Sequence, residues 1–299
     1  MSSAVKPVKQ LASVGLGLMG GALGMAVRAR GLAESVRAFA RREETRRAAL
    51  DMKAADEVFA TPEEAVKGSD FVVFCVPVLA IPDLAKACRP HFARGAVITD
   101  VGSTKAELAS RLEPVFDGIH AGFVGSHPMA GSEKTGIAAA RADLYDGALA
   151  VVTPSPGAAE TAVARVAAFW ERLGCRVVRM APVEHDRIIA RTSHLPHLVA
   201  AMLVKTVLSG DERGVAEFCG SGFRDTTRVA GGSEDMWHDI VKTNRRFVMR
   251  ELDAFAGTLE RVRGMVKDGD FERLRTFLAE SRAKRRRYAQ RDGTRGEPA

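Results

Sequence analysis

The chain has 299 residues, 46% of them apolar, enough for about two domains with substantial cores, which excludes a globally disordered protein. Lys plus Arg outnumber Asp plus Glu by 44 to 37, a formal charge of +7; its basic runs at 37–47 and 281–291 lack aromatic interleaving or any nucleic-acid motif, so they point to small anions and a solvated helix end. Four widely spaced cysteines with no metal-type pairing read as free thiols in a reducing compartment, and no signal peptide or run of roughly 18 apolar residues is present, so a cytoplasmic protein is expected.

The predicted elements begin with "QLASVGLG" (10–17), a short apolar run ending in glycines, which reads as a buried strand. "GGALGMAVRARG" (20–31) has helical spacing and closes on Gly31. A second strand is expected at 36–40 and a second helix at 42–52. "DFVVFCVP" (70–77) and "GAVITDVGS" (95–103) are further strands, the latter followed by a helix over "TKAELASRLEPV". Strands at 121–126, 148–153 and 176–180 and a helix near 158–173 complete this half. Alternation of strands that are apolar on both faces with helices predicts a parallel sheet covered on both sides. The stretch "GSHPMAGSEKTG" (125–136) reads as a stiff loop, with nothing of a strand interior in it. Beyond about residue 180 the strand pattern stops. Apolar positions at three- and four-residue spacing predict helices at 182–208, interrupted near Pro196, at 235–269 and at 270–289. The expected fold is an α/β Rossmann-type domain (1–180) followed by an all-α segment (181–289) and a disordered polar tail (290–299). A helical segment with so little sheet of its own suggests a homodimer.

Gly15, Gly17 and Gly20 form a G-x-G-x-x-G directly after the first strand and at the opening of the first helix. That placement suits a dinucleotide: a tight turn, close approach of backbone N–H groups to a pyrophosphate, and a helix N-terminus facing the phosphates. Leu18 and Met19, between the last two glycines, belong to the same expected contact. So do Val76 and Pro77 at the end of the 70–77 strand, and Asp100 and Gly102 after the next. Where an NAD-binding chain usually carries an acidic residue, this one reads Ala40, Arg41, Arg42. A small residue followed by arginines accommodates a 2′-phosphate, so NADP is favoured over NAD.

Ser103 and His127 fall at the ends of neighbouring candidate strands. Ligands bind at such ends, and a hydroxyl and an imidazole are expected to meet there above the nicotinamide. Histidine titrates near neutrality and suits removal of a hydroxyl proton as hydride leaves the same carbon. His194 and His197 lie three apart on a helix, but no third ligand is evident and no metal site is expected.

"GLGLMGG", "DVGSTK", "GSHPMAGSEKTG", "SHLPH" (193–197), "GFRDTTRVA" (222–230) and "MW" (236–237) occur in the order seen in the prephenate/arogenate dehydrogenase family, which the chain resembles over about residues 10 to 290. The resemblance implies a nicotinamide-binding N-terminal domain and a helical dimerisation domain. It implies oxidative decarboxylation of prephenate to 4-hydroxyphenylpyruvate, or of arogenate to tyrosine, with the substrate between the two domains. By the family pattern His127 is the base, and Ser103 bridges it to substrate and nicotinamide. Ser132, Ser193 and His197 contact or gate the substrate. Arg228 pairs with a substrate carboxylate, and Asp225 and Trp237 shape that pocket. Two other readings compete. A β-hydroxyacid dehydrogenase would be expected to carry a lysine in a G-x-x-x-K context on a long helix, and "AAMLVKTV" lacks the glycine. A non-catalytic dinucleotide sensor has no need of the His127 stretch, "SHLPH" and Arg228 together.

Overall fold

The structure, a computed structural model, describes residues 8–131, 134–210 and 212–293. Its first sheet follows the apolar runs. It comprises β1 (Val8–Val14), β2 (Ala33–Phe39), β3 (Glu57–Phe59), β4 (Phe71–Phe74), β5 (Val97–Asp100) and β6 (Gly122–Phe123), all parallel, in the order β3-β2-β1-β4-β5-β6. This is the doubly wound order, with the reversal between β1 and β4. Helices α1 (Leu18–Ala29), α2 (Glu43–Asp51), α3 (Pro62–Val66), α4 (Ile81–Cys88) and α5 (Ala106–Phe116) make the crossovers. β4 shows why the sheet is covered on both sides. All four of its side chains are buried, and they alternate between two cores. Phe71 and Val73 face α1 with Leu23 and Phe169, whereas Val72 and Phe74 face α4 and α5 with Ile81 and Leu112.

The expected strands beyond β6 do not extend this sheet. β7 (Gly125–Met129), β8 (Leu149–Thr153) and β9 (Arg176–Arg179) form a separate three-stranded sheet, with β7 antiparallel to β8 and β8 parallel to β9. Helix α6 (Glu160–Arg172) joins β8 to β9. The reading of residues 125–129 as loop is therefore corrected: His127 is in mid-strand, paired with Val151. Pro128 hid this strand, because a proline cannot donate to a ladder. It is tolerated here because β7 is an edge strand.

From residue 182 the described chain is helical: α7 (Pro182–Ile189), α8 (Leu195–Val207), α9 (Glu212–Ala216), α10 (Ser221–Thr227), α11 (Glu234–Thr243), α12 (Arg245–Lys267) and α13 (Phe271–Gly293). The interruption expected near Pro196 is a π-helical turn at Ala190–His194. Pro196 is the second residue of α8, which runs on from that turn without a break. α13 continues to Gly293, so residues 290–293 of the expected tail are helical, and the rest of that tail, 294–299, lies outside the described residues. Ala289, Gln290 and Arg291 are good helix formers, and polarity by itself does not end a helix. By packing, the chain falls into two compact units, Met1–Val248 and Met249–Ala299, the boundary lying within α12. α7 and α11 belong to the first unit, tied to it where Thr243 bonds Thr104 at 2.8 Å and where Asp186 caps α5.

Candidate active site

The three glycines shape the turn between β1 and α1 in different ways. Gly15 follows β1 with φ of +110°, and a Cβ there would lie 2.5 Å from the Cys75 carbonyl and 2.7 Å from Val76 Cγ1. The turn is thus wedged against the end of β4, at the reversal of strand order, and this brings Val76 and Pro77 to its rim. A Cβ on Gly20 would sit 1.9 Å from the Gly15 carbonyl, so α1 meets the turn with no room for a side chain. Gly17 differs: a Cβ there would meet nothing within 4 Å. It N-caps α1 with no side-chain bond, and no acid lies in that helix's first turn. Free N–H groups, open space and a helix N-terminus form a cradle that fits a dinucleotide pyrophosphate. Leu18 and Met19 form its first turn, and the Met19 carbonyl is held by Tyr145 Oη at 2.8 Å.

At the end of β2, Ala40 is buried and Arg41 and Arg42 are exposed. α2 begins at Glu43, and Arg42 is its N-cap, 3.5 Å from Glu44. That pair is about three-quarters exposed on both sides, so it binds Arg42 only weakly. A third arginine was missed in the sequence. Arg46 reaches back from α2 to donate to the carbonyls of Arg41 at 2.7 Å and Ala40 at 3.1 Å, stiffening the strand end.

The reacting side is built around the junction of β5 and β7. Ser126 is the second residue of β7, and its N–H and C=O are taken by Asp100 Oδ1 at 3.1 Å and Lys105 Nζ at 2.8 Å. Its hydroxyl donates to the Asp100 carbonyl and accepts from Trp170 Nε1. Lys105 and Asp100 form a buried ion pair, and Asp100 also accepts from the Gly102 N–H at 2.8 Å. Burial pulls the Lys105 pKa down, against the pull of Asp100. This corrects the reading of Asp100 as a cofactor contact. Its carboxylate is fully buried and spent on three internal donors, because the chain leaving the first sheet has backbone groups that must be satisfied inside. Asp100 shapes the loop that carries Gly102 and Ser103.

His127 follows in β7. Its Nδ1 lies 2.9 Å from His185 Nε2, and His185 Nδ1 lies 2.8 Å from Asp186 Oδ1. Its Nε2 bonds to none of the described residues. Burial, with His185, Lys105 and His194 adding to it, pushes the His127 pKa well below 6.5. Burial lowers His185 too, while its bond to Asp186 opposes the shift. The direct meeting of Ser103 with His127 is not found: among the described residues the inner partner of His127 is His185. The adjacent pair in "PVEHDR" is the sequence signal for it, less conspicuous than "SHLPH".

A second group lies on the helices. The His197 ring stacks on Trp237 with centroids 3.5 Å apart and planes at 11°, and His194 meets Trp237 edge-on at 5.9 Å. His194 is pulled down to about 4 by burial and sits 3.2 Å from Asn244, which also donates to the Asp186 carbonyl. Burial lowers His197 as well, against a hydrogen bond with the Val229 backbone. Two buried ring nitrogens, His194 Nε2 and His197 Nδ1, have no partner among the described residues. Unpaired buried polar atoms are uncommon and suit a polar ligand. Ser193 is half-buried in the π-turn, a feature frequent at functional sites. Asp225, on α10, and Arg228, just beyond it and adjacent in the chain to Val229, are exposed. Ser132 lies outside the described residues. No three His, Cys, Asp or Glu side chains converge as a metal site among the described residues.

Comparisons with known proteins point to one family. The family model "Prephenate dehydrogenase, nucleotide-binding domain" matches residues 23–179, and "Prephenate dehydrogenase, dimerization domain" matches 181–280. The chain is 32% identical to a cyclohexadienyl dehydrogenase of Zymomonas mobilis over 88% of this chain and 91% of that protein. It is equally identical to a prephenate dehydrogenase of Bacillus subtilis over 87% of this chain and 71% of that one. Among solved structures, prephenate dehydrogenase of Aquifex aeolicus in complex with hydroxyphenyl propionate and NAD+ superposes with a TM-score of 0.87 at 31% identity, covering 94% of this chain and 98% of the other. An arogenate dehydrogenase of Synechocystis gives 0.79 at 26% identity, covering 93% and 99%.

Proposed function

The chain belongs to the prephenate dehydrogenase family, and from that premise we propose that it oxidatively decarboxylates prephenate or its amino analogue arogenate in tyrosine biosynthesis, passing hydride to NADP in preference to NAD. The observation that carries the chemistry is His127: its inner nitrogen is tied to His185, its outer nitrogen is left to a ligand, and its strand is bolted to the end of β5 beside the nucleotide cradle. The bound nicotinamide supplies the hydride acceptor. His127 Nε2 takes the proton of the ring hydroxyl as hydride leaves the same carbon. The ring carboxylate departs as carbon dioxide, its bonding pair entering the ring, which becomes aromatic. Ser103, in the loop shaped by Asp100, orients the hydroxyl. The guanidinium of Arg228 receives a substrate carboxylate, and His197, held flat by Trp237, offers its unpaired Nδ1 to the same end. Ser132, Ser193 and Asp225 complete the substrate contacts.

The preference for NADP rests on the end of β2, where Ala40 leaves room and Arg41 supplies charge, with no carboxylate at that strand end to bond ribose hydroxyls. Two copies pair through residues 181–289. Leu259, Val266, Phe271 and Leu278, each more than half exposed, supply apolar surface for a second chain to cover. Among the described residues no helix is long and apolar enough to cross a membrane, and the four cysteines are unpaired, in keeping with a cytoplasmic site.

The test is reduced-nicotinamide absorbance in four mixtures, prephenate or arogenate with NADP or NAD. Turnover is expected with NADP well above NAD, and Arg41→Ala should narrow that gap. Faster turnover with NAD refutes the role given to Arg41. Silence in all four mixtures refutes the reaction.

A further inference from the structure

We propose that His185 and Asp186 form a tautomer relay that keeps the proton of neutral His127 on Nδ1, leaving Nε2 bare to act as base. The proposal rests on the reading of His127 as base. The relay is anchored at Asp186. The backbone N–H groups of Lys105 and Ala106 each donate to its carboxylate at 2.8 Å, since a backbone N–H can only donate. His185 Nδ1 stands 2.8 Å from the oxygen that Lys105 N–H also meets, so this nitrogen must carry the proton. In neutral His185 the other nitrogen, Nε2, then holds a lone pair. That lone pair lies 2.9 Å from His127 Nδ1. Two facing lone pairs repel, so His127 Nδ1 donates, and its Nε2 is the unprotonated nitrogen.

The surroundings keep both rings neutral. Burial lowers both, Lys105 adds its positive charge against each, and His194 does the same at His127, while Asp186 and Asp100 oppose this at His185. The same carboxylate serves α5, which begins at Ala106 with no side-chain cap from its own N-cap residue. Asp186 therefore ties the start of that helix, and the Ser103 loop before it, to the ring that sets the state of His127. His185 and Asp186 are positioning residues, acting on substrate only through His127.

The relay makes a prediction independent of turnover. Long-range proton–nitrogen spectra of the full-length protein with 15N-labelled histidine should show His127 with a pyrrole-type Nδ1 and a pyridine-type Nε2. His185→Leu, which removes the acceptor, should mix the two tautomers and lower kcat by at least ~10-fold with KM changed little. His185→Gln can accept from His127 through its amide oxygen and donate to Asp186 through its amide nitrogen, and should restore most of kcat. A wild-type His127 protonated on Nε2 overturns the relay, as does a His185→Leu enzyme with undiminished kcat. If His185→Leu fails to fold, the wild-type spectrum and the Gln variant decide alone. His127→Asn separates the two readings. If it is inactive while His185→Leu keeps full kcat, the base stands and the relay falls. If it is active, the base falls and takes the relay with it.

Discussion

At the scale of single residues, His127 is set apart by what holds it. An imidazole on a solvated loop would titrate near 6.5, but this one is pushed well below that by burial and by the charges of its neighbours. It is therefore unprotonated, and able to accept, throughout the neutral range. The acid limb of a kcat/KM profile should accordingly fall below pH 6.5, and a limb at 7 or above would contradict the assignment. His127→Asn should lower kcat by at least ~100-fold while dinucleotide affinity, measured by titration, stays unchanged. Near-wild-type turnover would remove His127 from the chemistry.

Among elements, the turn between β1 and α1 separates two roles that one motif combines. Gly17→Ala places a methyl in open space, so the fold should hold to within about 1 kcal/mol while dinucleotide binding weakens at least ~10-fold. Gly20→Ala drives a methyl into the Gly15 carbonyl, and urea unfolding should show a loss of more than about 2 kcal/mol. Equal effects of the two on stability would mean the helix does not pack on the turn as described. The β5–β7 junction is a different device. Lys105→Met leaves Asp100 buried and unpaired, which should cost about 3–5 kcal/mol in the same measurement. A smaller loss would show that water reaches the site.

For the molecule as a whole, the buried histidines link stability to pH. His127, His185, His194 and His197 all have folded pKa values below the ordinary 6.5, with burial the first cause. As pH falls the unfolded chain takes up these protons first. Stability is then full above about pH 6.5 and is lost as pH falls through the lowered values, the window for His194 reaching down to about 4. His185 and His194 should each contribute a slope of up to about 1.4 kcal/mol per pH unit within their windows. Urea midpoints at pH 7.5 and 5 should differ accordingly, and equal midpoints would mean these rings are solvated.

Much of this protein could be read from its residues in order. Local chemistry alone determined the apolar strands, the glycine turn opening α1, the missing acid after β2 and the helical second half, because each depends on neighbours in the chain. His127, His197 and Arg228 stood out through motif order. What depends on residues distant in sequence could not be read that way. Pro128 concealed an edge strand whose partner lies some twenty residues on. Asp100 looked like a cofactor ligand until the fold enclosed it with Lys105 and Ser126. His185 acquires meaning only because α7 carries it to within hydrogen-bond distance of a histidine 58 positions earlier. A side chain's type is local, but its protonation, its burial and the partner of each of its nitrogens are set by what the fold brings beside it.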